Sequence, residues 1–224
     1  QWNPNQASGS EHIMEGEVFF LRGQLVDAEI CLYRGLADAN EHKQLMIIFA
    51  AHFLRLRIEA FRGNFKDVER TLCELRELAD AQQEYMLLHT ADVCEAWLYS
   101  LFGQTEPQAE WIAQGLLENT RLLHPSFPLL HMVYGQVLLA QGEYVPLIAR
   151  EAQMRRLYRL YPNLLCEIYL DIQLATAYWR LGKMELAQSH MQQALINALP
   201  DRLYMPFVEN MEVSLALLPQ LEAT

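Results

Sequence analysis

Five glycines limit what this chain can fold into. Gly23, Gly63, Gly103, Gly142 and Gly182 stand 40, 40, 39 and 40 residues apart, and they are half of the ten glycines in the 224-residue chain. A recurrence of that length marks one supersecondary unit repeated along the sequence. Each such unit buries its apolar face only by stacking on its neighbours.

The surroundings of each glycine recur as well. Seven residues before it stand Gly16, Leu56, Ala96, Gly135 and Ala175. Four of these are small, the size needed where two helices cross closely. Four residues before it stand Phe19, Glu59, Tyr99, Leu138 and Tyr178, mostly large enough to fill a layer between units. Five residues after it come Ala28, Val68, Gln108, Leu147 and Ala187. On both flanks apolar residues return at intervals of three and four, as Leu45, Ile48, Phe49, His52, Phe53 and Leu56 do, and alternating strand patterns are absent. Pro107 and Pro146 fall in the first turn of predicted second helices, where a missing N–H costs little, and Pro125, Pro128, Pro162, Pro200 and Pro206 separate the units.

The predicted helices are 11–22, 24–38, 43–62, 64–80, 83–102, 106–122, 127–141, 143–159, 163–181, 183–198 and 204–218. The expected architecture is therefore all-α: about five helical hairpins and a C-terminal capping helix, forming one domain over 11–224 after a linker or disordered stretch at 1–10.

Composition narrows the function. The net charge of −11 disfavours a phosphate footprint, so direct nucleic-acid binding is not expected. Cys31, Cys73, Cys94 and Cys166 lack any C-x-x-C or zinc-finger spacing and read as reduced core thiols. Neither a membrane span nor a signal peptide is legible, which points to a cytoplasmic location with no membrane partner. The start at Gln1 without an initiator Met leads us to expect a fragment of a larger protein.

In three of the units an aromatic residue or Met stands two positions after the glycine (Asn64-Phe65, Glu143-Tyr144, Lys183-Met184), followed by a small residue at the next helix turn. This pattern, over about 11–198, resembles the tetratricopeptide repeat, although the period is nearer 40 than 34. The longer first helices resemble the helical domain of MalT-like, ATP-dependent activators of the LuxR family. The tail from Ala198 to Glu209, with Pro206-Phe207, resembles the helix that closes their array. The resemblance implies a right-handed superhelical solenoid that serves as a sensory or protein-interaction domain, bound by a small-molecule inducer or a regulatory protein or peptide. It also implies an ATP-binding domain upstream, a DNA-binding domain downstream, and possible homo-oligomers. The competing reading is a free-standing scaffold or chaperone adaptor that clasps a peptide segment.

No enzyme motif is found. Gly182-Lys183-Met184 lacks the loop and hydroxyl of a phosphate-binding site, and H-E-x-x-H and G-x-S-x-G are missing. Neither a cofactor nor a catalytic residue is expected. Eleven residues before each glycine stand His12, His52, Asp92, His131 and Asp171. On successive hairpins these would lie about 10 Å apart, too far for shared metal ligation, so they read as satisfied polar residues. If the first helices line the groove, as in tetratricopeptide arrays, its wall carries Glu17, Arg57, Trp97, Gln136 and Thr176 six residues before each glycine. Three before stand Phe20, Ala60, Ser100, Leu139 and Trp179. Arg57, Trp97, Gln136, Thr176 and Trp179 are the candidate binding residues, suited to a sugar, a small acid or a peptide; the two tryptophans also read as packing residues between hairpins. Arg150, Arg155, Arg156 and Arg159 form a basic stretch that reads first as a solvated face and second as a docking site for an acidic partner.

Overall fold

The computed structural model of the chain describes residues 7–82, 85–104 and 109–221. Among these the structure is all-α, with thirteen α-helices, three short 3-10 turns and no strand. The chain divides into two compact units, residues 1–91 and 92–224, and the boundary falls within one helix.

The first unit holds α1 (Ser10–Leu21), α2 (Leu25–Glu41), α3 (Leu45–Arg62), α4 (Phe65–Gln82) and the start of α5 (Tyr85–Leu101). These follow the predicted spans closely. The recurrent glycine explains why each first helix stops where it does. Gly23 and Gly63 have φ of 75°, and Gly103, Gly142 and Gly182 have φ of 67°, 77° and 72°. This is the left-handed conformation that ends a helix at little cost only for glycine. In all five units the next N–H bonds back to the carbonyl of the large residue four before the glycine: Gln24 to Phe19, Asn64 to Glu59, Gln104 to Tyr99, Glu143 to Leu138 and Lys183 to Tyr178, at 2.8–3.0 Å. A Cβ on any of these glycines would meet nothing within 4 Å, so backbone conformation and not crowding selects the residue.

The small residue seven positions earlier works differently. A Cβ on Gly16 would stand 2.9 Å from Leu54 Cδ2 and 3.2 Å from the Ala28 carbonyl. Leu54 of the second hairpin, fully buried, thus reaches into the crossing of the first. The core of this unit is built from Phe20, Leu32, Phe49, Leu56, Ile58 and Leu75, each almost wholly removed from solvent.

The second unit continues α5 and adds α6 (Glu110–Ala113), α7 (Phe127–Ala140), α8 (Tyr144–Ala149), α9 (Glu151–Leu160), α10 (Leu164–Arg180), α11 (Met184–Ala198), α12 (Met205–Glu209) and α13 (Met211–Leu221). Here three of the predicted helices need correction. The helix expected over 106–122 is one turn long in the described residues, followed by a 3-10 turn at Leu117–Asn119; Pro107 and Gln108 lie outside them. Gly115 ends α6 at φ 71°, with Leu116 N–H bonded to Trp111 O at 2.8 Å, the same cap that ends the first helices. A Cβ there would also strike the Tyr134 hydroxyl. The helix expected over 143–159 breaks at Arg150, whose N–H closes a tighter turn on Leu147 O. The one expected over 204–218 breaks at Asn210, at φ −115° and ψ 45°. α12 and α13 cover the last hairpin, placing Phe207, Val213 and Leu217 in one cluster with Ile172, Met191 and Ala194.

Cys31, Cys94 and Cys166 are buried, as core thiols should be, and burial pushes Cys166 up to about 12. Cys73 departs from the expectation and is exposed on α4. Among the described residues no helix is long and apolar enough to cross a membrane.

Candidate functional site

The second unit contains a cavity of about 590 Å³. One side comes from the end of α5 (Ser100 to Gly103), from Gln136 and Leu139 on α7, and from Thr176 and Arg180 on α10. Tyr144 of α8 and the segment Val208–Val213, where α12 turns into α13, complete it. Four wall residues fall in the register that the repeat assigns to a groove: Gln136 and Thr176 six before their glycines, Ser100 and Leu139 three before.

The other three candidates lie elsewhere. Trp97 is 2 % exposed and packs edge-on against the buried Tyr169 ring, with centroids 5.0 Å apart. Trp179 is half-buried against the apolar cluster of α10, α11 and α13, with the Arg180 guanidinium 4.8 Å above its ring. Neither lines the cavity. Arg57 belongs to the first unit, where it is 7 % exposed, ion-paired with Glu17 at 2.7 Å and stacked 4.4 Å over Phe20. Arg57 and Glu17 occupy the same register on successive hairpins, so that pairing ties two first helices together.

Arg180, Glu209, Asn210 and Glu212 are wall residues that lie off the two groove registers of the repeat. Three of them come from the break at Asn210, which does not follow the repeat. The tail was legible as a terminal helix, but no sequence signal located the break.

The polar wall is held in a fixed orientation by a chain of amides. Gln173, fully buried, donates from Nε2 to Met132 O at 2.9 Å and to Gln136 Oε1 at 3.4 Å. That leaves the Gln136 NH2 facing Asn210 Oδ1 at 3.5 Å, the outer limit of a hydrogen bond. Asn210 in turn donates from Nδ2 to Pro206 O at 2.9 Å. Backbone carbonyls therefore fix both ends of the relay. Beside it the Tyr169 hydroxyl donates to the Glu209 carboxylate. At the rim Arg180 donates to Glu212 at 2.5 Å.

The residues eleven before each glycine have a structural role in this unit. Asp92 accepts from Trp111 Nε1 at 2.9 Å, His131 Nδ1 meets Arg150 Nη2 at 3.2 Å, and Asp171 accepts from His190 Nδ1 at 2.9 Å. Each partner lies 19 residues on, across the hairpin from its mate, so the recurrence is a polar clasp between the two helices of a hairpin. Burial first, and then the Arg150 charge, push His131 down to about 4, which matches a neutral ring accepting from a guanidinium. Asp171, wholly buried, also accepts from Arg155 at 2.6 Å, so part of the basic stretch is internal bracing. The one group of potential metal-binding side chains found among the described residues is Glu11, His12 and Asp38 in the first unit, with ligand atoms within 4.8 Å of one another. His12 and Asp38 are 3.7 Å apart and partly exposed.

Compared with known proteins, the chain matches no family model, and neither a curated protein nor a solved structure gives a significant match.

Proposed function

We propose that the chain is a non-catalytic recognition domain, a right-handed stack of five tetratricopeptide-like hairpins, in which the cavity of the second unit receives an inducer or a regulatory partner. The observation that carries this reading is the assembly of the cavity wall from repeat-equivalent positions on three successive first helices, closed by a segment outside the repeat. The volume falls within the range of ligand sites, and a wall more polar than apolar suits an occupant that forms hydrogen bonds. The period of 40 and the Pro206-Phe207 tail favour the sensory domain of a MalT-like activator of the LuxR family, working beside an ATP-binding and a DNA-binding domain. Control of that kind requires unequal affinity for two arrangements of the array. Moving a population from 1:99 to 99:1 takes about 5.5 kcal/mol of differential binding.

Thermal-shift and calorimetric screening with metabolites and short peptides tests the reading. Thr176→Trp, which fills the cavity, is expected to abolish whatever stabilisation a hit produces. A hit that binds the variant as well as the parent would show that recognition happens elsewhere.

A further inference from the structure

We infer that the cavity takes a basic peptide segment, its backbone clamped between Gln136 and Asn210 and its lysine or arginine side chain held by Glu209 and Glu212. The inference rests on the cavity being the recognition site and adds the chemistry of the occupant.

The clamp follows from the amide relay. Gln136 Nε2 and Asn210 Oδ1 form a donor and an acceptor side by side, only weakly closed on each other at 3.5 Å. Each is held from behind by other hydrogen bonds, Gln136 through Gln173 and Asn210 through Pro206. In an extended chain the N–H and C=O of one residue project to the same side, as they do when antiparallel strands exchange paired hydrogen bonds. One residue of such a segment can therefore accept from Gln136 and donate to Asn210, replacing a poor bond by two good ones.

The sign of the occupant follows from the rim. Two carboxylates, Glu209 and Glu212, stand against one guanidinium, Arg180, which is already paired with Glu212. An acidic ligand would meet two carboxylates and, among the described residues of the wall, one cation that is already engaged. A lysine or arginine would meet oriented acceptors, with Leu139 and Met211 on the wall to cover its aliphatic stem. The net charge of −11 favours approach by a cationic partner as well.

Calorimetry of the intact chain with a short blocked peptide carrying two lysines, and with its two-glutamine and two-glutamate counterparts, tests this. The lysine peptide is expected to bind at least about tenfold tighter than the glutamine peptide, with affinity falling as salt rises, and the glutamate peptide is expected not to bind. Glu212→Gln, on a side chain that is 68 % exposed and carries little of the fold, should weaken the lysine peptide by about tenfold. Gln136→Ala should weaken the peptide but leave binding of 1,5-diaminopentane, which has no amide, unchanged. Lack of lysine-peptide binding, or equal binding of the glutamine or glutamate peptide, would overturn the inference. If such a neutral or acidic ligand is lost with Thr176→Trp, the cavity reading stands and only the class of occupant fails. If the lysine peptide binds Thr176→Trp unchanged, the cavity reading itself fails.

Discussion

Acidification should loosen the second unit through His131, and the effect can be isolated. The ring is largely buried on α7, its Nδ1 turned to the Arg150 guanidinium, and the two together lower its pKa from 6.5 to about 4. A histidine with a depressed folded pKa is protonated first in the unfolded chain, so the unfolded state binds more protons between these two values. Stability is therefore full above pH 6.5 and falls as the pH drops towards 4. The expected loss is about 2 kcal/mol at pH 5 and about 3 kcal/mol at pH 4 relative to pH 7, because each tenfold difference in proton affinity between the two states is worth about 1.4 kcal/mol. Carboxylates titrate in the same range, and burial pushes His52 of the first unit down as well, so the raw pH profile is not diagnostic. The informative quantity is the difference from His131→Asn, whose amide oxygen can still accept from Arg150 but cannot be protonated. Urea unfolding followed by far-UV circular dichroism at several pH values should give a parent-minus-variant stability difference that falls by about 3 kcal/mol from pH 7 to 4. A flat difference, or an NMR titration that puts the His131 ring near 6.5, would refute the reasoning.

Three further substitutions separate the roles of the repeat positions. Gly182→Ala should cost about 1–2 kcal/mol in chemical unfolding, because its φ of 72° is unfavourable for an L side chain although the added methyl meets nothing. Gly135→Ala keeps an ordinary helical backbone but drives its Cβ into Gln173 Oε1, so it should cost about 1–3 kcal/mol as overpacking, and Gln173→Ala should relieve part of that cost in a double-mutant cycle. Asp171→Ala leaves Arg155 and His190 without the buried carboxylate they share and should cost about 3–5 kcal/mol.

The parts of the fold that were legible in the sequence are those enforced by backbone geometry. A left-handed glycine five times over fixes where each first helix ends, and helix periodicity fixes what flanks it, so α1 to α5, α10 and α11 fall close to their predicted spans. Gly115 carries the same signal but stands outside the register, and in sequence it reads as the interior of a helix. A helix-interior glycine costs only about 1 kcal/mol, too little to exclude on sequence alone. The close approach of Tyr134, which closes the question, is a tertiary contact. The breaks at Arg150 and Asn210 are of the same kind. Neither residue is a helix breaker, and Arg150 is engaged by His131 and by the Tyr134 ring.

The candidate site divides along the same line. Register singled out Gln136 and Thr176, and both line the cavity of the second unit. It could not separate them from Trp97, one hairpin earlier in the same register. Trp97 offers a large apolar surface, and burying it against Tyr169 gains more than an exposed aromatic plate would. The residues eleven before the glycine show the converse. They recur as polar groups and could be mistaken for a ligand set, yet in the second unit each is hydrogen-bonded across its own hairpin. In a stacked array, polar residues that recur in every unit serve whatever every unit needs, which is to lock its two helices. Recognition needs groups that differ from unit to unit, so that one place on the surface is unlike the rest. In the proposed site Glu209, Asn210 and Glu212 are that difference, because they sit where α12 breaks into α13 outside the repeat. A variant that restores helical continuity through Asn210, such as Asn210→Ala, should therefore lose peptide binding more completely than the loss of one amide explains, and retention of full affinity in that variant would break the link between the helix break and the site.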